Sequence, residues 1–126
     1  MEYHQYEDKK MVTELLASYM DAVYRADVET LRGIFHENAS MNGFLGEDMV
    51  IGTPEIFYAD LQSKPSMKES SIQCDYVITD LEITGGIGQA AILVDNFYGM
   101  CCVEDHFHLL KIDGKWRILC KTFTTL

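Results

Sequence analysis

The chain is poor in positive charge: ten Lys and Arg stand against twenty Asp and Glu in 126 residues, a net charge of −10. The few basic residues form no cluster, and a field of that sign repels polyanions. This argues against nucleic acid and against acidic membrane surfaces as partners. Long apolar runs are missing too, and none approaches the roughly 20 residues that span a bilayer. Residues 1–11 (MEYHQYEDKKM) are polar throughout, so no signal peptide is expected and the expected location is cytoplasmic. The four cysteines, Cys74, Cys101, Cys102 and Cys120, show no C-x-x-C spacing. Zinc and thioredoxin-like chemistry therefore have no motif support, and reduced thiols are expected. Repeats, linkers and low-complexity segments are also lacking. Residues 1–126 are expected to form one domain, long enough to bury a core around a cavity.

What is present is strong patterning. Val12, Leu15, Leu16, Tyr19, Met20 and Val23 recur at helical period and predict a helix over 8–25. Asp27 is an N-cap for a second short helix through Phe35, ended by His36 to Asn38. Short strands are predicted at 39–45 and 48–52 around Gly46. Thr53-Pro54-Glu55 then opens a third helix with a hydroxyl cap, a proline in its first turn and an early acid. It is expected to reach Leu61 or Gln62 and to bury Ile56, Phe57 and Leu61. From Ile72 onward alternation predicts four long antiparallel strands, at 72–84, 89–98, 100–112 and 115–124. Helices first and a meander afterwards predict an α+β domain, with helices packed on one face of a curved, mainly antiparallel sheet.

The run DHFHLLKIDGKWRILCKTF, Asp105 to Phe123, is the most informative stretch. Asp113-Gly114 suits a two-residue type I′ turn between two strands. Asp105 shares a face with Val103, Phe107 and Leu109. A carboxylate among apolar residues either titrates abnormally or meets a partner, as happens in ligand pockets. Uninterrupted pairing from the turn sets Asp105 opposite Thr122, Phe107 opposite Cys120 and Leu109 opposite Ile118. Trp116, Ile118, Cys120 and Thr122 then share the pocket face, with Arg117 and Lys121 pointing away. A bulge reverses this beyond its position and brings Lys121 toward Asp105. Both registers remain open at this point.

The order of elements, the segment YMDAVYRADVETLRGIF (Tyr19 to Phe35) and the hairpin ending in DGKWRI resemble the nuclear transport factor 2-like superfamily. The resemblance covers Glu14 to Phe123. It implies a cystatin-like cone, the fold of ketosteroid isomerase and scytalone dehydratase. Within that superfamily the Asp105–Phe123 run is most similar to the putative lumazine-binding group. Against the isomerase, Tyr19 aligns with the tyrosine that donates to the developing enolate oxygen, and Asp105 with the protonated acid of the same oxyanion hole. The isomerase's proton-shuttling aspartate falls at Asn42-Gly43, where this chain has an amide and a glycine.

Three functions follow as expectations. The first is a small-molecule-binding domain whose mostly apolar cavity uses Tyr19 and Asp105 as polar handles. Asn42, Phe57, Phe107, Trp116 and Thr122 complete the expected lining, and the ligand is a small apolar or planar carbonyl-bearing molecule. The second is an isomerase, dehydratase or cyclase acting beside a carbonyl. In it Tyr19 and Asp105 are oxyanion donors, and His36 or another acid moves protons. The third is an interaction module, with a homodimer through the outer sheet face, where Leu110, Ile112, Leu119 and Phe123 sit among charged residues. Glu104, His106 and His108 could present three ligands from one strand face. No fourth ligand at fixed spacing accompanies them and Arg117 and Lys121 share that face, so neither a metal nor a cofactor is expected.

Overall fold

A computed structural model describes residues 2–126, with side chains from residue 5 onward. Three helices, α1 (Glu2–Arg25), α2 (Val28–Ile34) and α3 (Pro54–Gln62), pack on one face of a six-stranded sheet. The strands are β1 (Phe35–Leu45), β2 (Asp48–Gly52), β3 (Asp75–Thr84), β4 (Ile87–Phe97), β5 (Cys101–Ile112) and β6 (Lys115–Thr125). Their spatial order is β2-β1-β6-β5-β4-β3. Every neighbouring pair is antiparallel except β1 with β6, which run parallel. Among the described residues no helix is long and apolar enough to cross a membrane.

The helical stripe of α1 works as its spacing dictates. Val12, Leu16, Tyr19, Met20 and Val23 are buried, whereas Thr13, Glu14 and Ala17 face solvent. Each fully buried aliphatic side chain of this kind contributes about 1.5–3 kcal/mol through the water-inaccessible area it gains. Asp27 caps α2 by accepting from the Thr30 amide, and its carboxyl is held below the ordinary range by the Thr30 hydroxyl and amide. Thr53 caps α3 by accepting from the Glu55 amide, with Pro54 in the first turn where its missing N–H costs nothing.

Several boundaries differ from the sequence reading. α2 stops at Ile34, and Phe35 to Asn38 already belong to β1 because the chain turns extended at Phe35 (φ −79°, ψ 141°). His36 therefore sits in a strand, where its Nδ1 accepts from the Asn38 amide. β3 begins at Asp75, so Ile72 and Cys74 lie in the preceding loop. That loop is held down by the Lys68 amide on the Tyr24 carbonyl and by fully buried Met67. Ile56 is exposed rather than buried; Tyr58 takes the inward place on α3.

The decisive detail is in the last hairpin. Asp113 and Gly114 both have positive φ, 50° and 79°, as a two-residue I′ turn requires. Pairing then runs regularly to Leu109 opposite Ile118, but the next pair is His108 with Cys120, leaving Leu119 as an extra residue on β6. Beyond that bulge Asp105 faces Phe123 and Phe107 faces Lys121. The uninterrupted register is thereby overturned. Lys121 and Phe123 point into the core and are buried, while Cys120 and Thr122 turn to the outer face.

Candidate functional site

The inward faces of α1, α3 and the sheet enclose a cavity of about 160 Å³. Its walls are apolar, with Met20, Val23, Met41, Val94, Val103 and Phe123 prominent, and Leu45 and Ile56 stand half-exposed at its mouth. Four polar side chains line it: Tyr19, Asp105, Lys121 and, near the mouth, Asp60. Asp60 pairs with Lys64 at 3.3 Å and is largely exposed.

Tyr19, Asp105 and Lys121 come from three different elements and meet because each local pattern aims them inward. Tyr19 belongs to the buried stripe of α1, Asp105 alternates with Val103 and Phe107 on β5, and the Leu119 bulge turns Lys121 in from β6. All three are almost wholly buried, at 1%, 3% and 5% exposure. Lys121 Nζ lies 3.9 Å from Asp105 Oδ1, within ion-pair range but too long for a direct hydrogen bond. Oδ1 has no hydrogen-bond partner among the described residues. The ammonium position sits 4.1 Å from the centre of the Phe57 ring, with Phe123 and Tyr19 at 5.3 and 5.5 Å. Those ring faces are where a cation gains from the aromatic quadrupole.

Burial governs how these groups titrate. It pushes the Asp105 carboxyl above the usual carboxylate range, against the opposing pull of Lys121 and a hydrogen bond from Tyr19. It pushes the Lys121 ammonium below its ordinary range, again against Asp105. Tyr19 is driven well above its ordinary value by burial and by the neighbouring acid, so its hydroxyl stays a donor at physiological pH. The pair attracts by about 4 kcal/mol at an effective dielectric near 20, which is comparable to the several kcal/mol lost in desolvating each ion. The arrangement therefore gains little for the fold, and it leaves donor and acceptor capacity directed at an apolar space.

Of the lining anticipated from sequence, Tyr19, Phe57 and Asp105 lie together on the cavity. Phe107 is buried behind Tyr19, with ring centres 5.2 Å apart at 75°, and supports it edge-on. Trp116 lies elsewhere in the core, donating from Nε1 to Asp8 at 3.1 Å. Thr122 is exposed on the opposite sheet face as a result of the bulge. Asn42 alternates with inward-facing Met41 and Gly43 and so points outward, opposite Thr122 on β6. Gly43 faces inward, but a Cβ there would collide with the Phe123 backbone. His36 is not among the cavity residues. On the outer face Glu104 engages His106 at 2.6 Å.

Lys121 was anticipated only under the bulged register, and Phe123 and Asp60 were not anticipated in the lining. The signal for the first two is a change of parity. Trp116 and Ile118 place apolar residues at even positions, whereas Phe123 is odd, and only an extra residue between them keeps all three on one face. Asp60 gives no such signal, since an acid on an exposed helix flank is ordinary.

The family described as putative lumazine-binding matches residues 7–124, and the chain belongs to it. Among solved structures, a nuclear transport factor 2-like protein of unknown function from Silicibacter pomeroyi DSS-3 is similar with a TM-score of 0.85 at 22% identity, over 95% of this chain and 97% of that one. A nuclear transport factor 2-like protein of unknown function from Methylobacillus flagellatus KT gives 0.83 at 28% identity, over 95% and 93%. A ketosteroid isomerase-like protein from Erwinia carotovora atroseptica SCRI1043 gives 0.72 at 13% identity, over 95% and 97%, a likeness of fold. No curated protein matches the sequence. The chain thus has the cystatin-like α+β fold of these nuclear transport factor 2-like proteins.

Proposed function

We propose that this member of the putative lumazine-binding family binds a small planar molecule bearing a carbonyl group in the cavity beneath α1 and α3. The observation that carries this reading is the unpartnered, buried Oδ1 of Asp105 on an otherwise apolar cavity, with Lys121 Nζ 3.9 Å away. A buried acceptor left unsatisfied costs about 1–3 kcal/mol, and a ligand N–H or O–H that meets it recovers that energy. Lys121 is a donor for the ligand's carbonyl oxygen, the Tyr19 hydroxyl is a second once the ligand displaces its hydrogen bond to Asp105, and the aliphatic walls with Phe57 and Phe123 take the ring. The family description makes lumazine itself a natural compound to try.

The test is a thermal-shift screen of planar carbonyl compounds, lumazine included, against wild type and Asp105→Asn. A binder at 100 times its dissociation constant adds about 2.7 kcal/mol, a readily measured rise in melting temperature. The expected result is a hit with the wild type that is lost or sharply reduced in the variant. Hits of equal size in both proteins would remove Asp105 from the site.

The isomerase-type alternative retains Tyr19 as a donor but lacks a carboxylate at Asn42-Gly43. His36 is away from the cavity, which leaves Asp60 as the acid nearest the mouth to move protons. A homodimer through the outer sheet face also belongs to this reading, with Leu110 and Leu119 at its centre and Phe123 removed from it by the bulge. A monomer mass by light scattering would eliminate that contact. Four free thiols suit a reducing compartment such as the cytoplasm.

A further inference from the structure

We propose that Lys121 captures aldehydes and reactive ketones covalently, as an imine, inside the cavity. The inference rests on the cavity being a ligand site and goes further by assigning a reactive atom to it. Three observations converge on Lys121 Nζ. It lines the cavity although its residue is only 5% exposed, so a ligand in the cavity meets the amine with little competing water. A carboxyl group stands 3.9 Å away, a gap that a reacting oxygen placed between them can bridge for proton exchange. The rings of Phe57, Phe123 and Tyr19 surround the nitrogen, at 4.1, 5.3 and 5.5 Å from their centres, and fix where it stands in the cavity wall.

A lysine desolvated among apolar groups is the usual way to obtain a nucleophilic amine at neutral pH. Burial shifts Lys121 downward and Asp105 upward, and both shifts favour the uncharged amine and acid over the ion pair. Proton transfer from ammonium to carboxylate within the pair gives the same two neutral groups. The amine lone pair then attacks the carbonyl carbon, and the proton released from nitrogen moves to the carbonyl oxygen, giving a carbinolamine. Asp105 protonates the hydroxyl, the C–O bond breaks and water leaves as nitrogen forms the C=N bond. One amine, one carboxylic acid and one aldehyde become one iminium, one carboxylate and one water, with atoms and charge conserved. The product is a cation beside the Asp105 carboxylate, so the charge formed on the adduct has a counter-ion in the site. No oxidant or metal is required.

The chain has seven lysines, which makes selectivity the readout. Wild-type protein is incubated with benzaldehyde and sodium cyanoborohydride, then resolved by intact mass and peptide mapping. Benzyl alcohol, similar in shape but unable to form an imine, is tested in parallel by thermal shift. The expected result is a single benzyl addition at Lys121, about tenfold faster than at any other lysine. Lys121→Arg abolishes it, and Asp105→Asn slows it by about 100-fold, the scale of a lost acid–base group. Both variants are first checked for a cooperative melt, and Lys121→Met replaces the arginine variant if that one fails to fold. Addition spread evenly over the surface lysines overturns the proposal. So does stabilisation by benzyl alcohol without any addition by benzaldehyde, an outcome that leaves the cavity reading intact. No response to either compound overturns both.

Discussion

Two buried aspartates of this protein, Asp8 on α1 and Asp105 on β5, are built from the same parts and finished differently. Asp8 Oδ1 accepts from Trp116 Nε1 at 3.1 Å and meets Lys111 Nζ at 2.9 Å. Asp105 also has a lysine and aromatic neighbours, but its lysine stands at 3.9 Å and its Oδ1 is unmatched. The first carboxylate is closed, with direct partners that tie α1 to the β5–β6 hairpin. The second is open on a cavity. Among buried polar groups, completeness of hydrogen bonding separates a structural joint from a candidate binding site better than residue type or depth does.

The contrast is most directly broken at Asp8. Asp8→Ala orphans the buried Trp116 N–H and removes the partner of Lys111, and should lower the unfolding free energy by about 3 kcal/mol in urea titration. A loss under about 1 kcal/mol would show that the closed carboxylate is not a joint. The open pair should behave oppositely. Replacing both members together, Asp105→Leu with Lys121→Met, removes two desolvation penalties and should stabilise the empty protein by about 1–2 kcal/mol while abolishing ligand response. A net loss of stability would place the open pair in the same class as Asp8.

A smaller effect, in pH dependence, sharpens the contrast further. The folded-state pKa of Asp105 is raised, so the folded protein holds this proton more tightly than the unfolded chain. The resulting stabilisation is fully present below the unfolded value near 4 and is lost as pH rises through the raised folded value. In a Lys121→Met background, where the oppositely signed shift of the lysine is absent, the advantage of adding Asp105→Leu should therefore shrink as the pH is lowered from 7 toward 4. An advantage that grew on acidification would reverse the sign of the Asp105 shift.

Much of the frame was legible because it follows from local chemistry. The α1 stripe, the Asp27 and Thr53 caps and the Asp113-Gly114 turn each depend on a few adjacent residues, and each stands where its pattern put it. The site was legible only in part. Tyr19 and Asp105 came from periodicity within one element, whereas Lys121 depended on an unpaired Leu119, a property of two strands together. Trp116 was misplaced for a different reason: alternation assigns it an inward face but not which end of that face it occupies, and Asp8 draws it away from the cavity. The outward turn of Asn42 follows from strand parity once Met41 is seen to be buried.

The parallel pairing of β1 with β6 carries a consequence for how the protein comes into being. The Gly46 amide donates to the Thr125 hydroxyl across 79 residues of chain, and Met41 stands beside Lys121 in the same ladder. On a ribosome, β1 emerges long before its neighbour exists, and its inward edge must wait while β3, β4 and β5 are made. Non-local pairings of this kind are slow to form and expose strand edges meanwhile. The cavity wall that holds Lys121 and Phe123 is thus the last strand of this sheet to be made. The site cannot form before β6 has emerged, and a ligand can act as a folding aid only from that point.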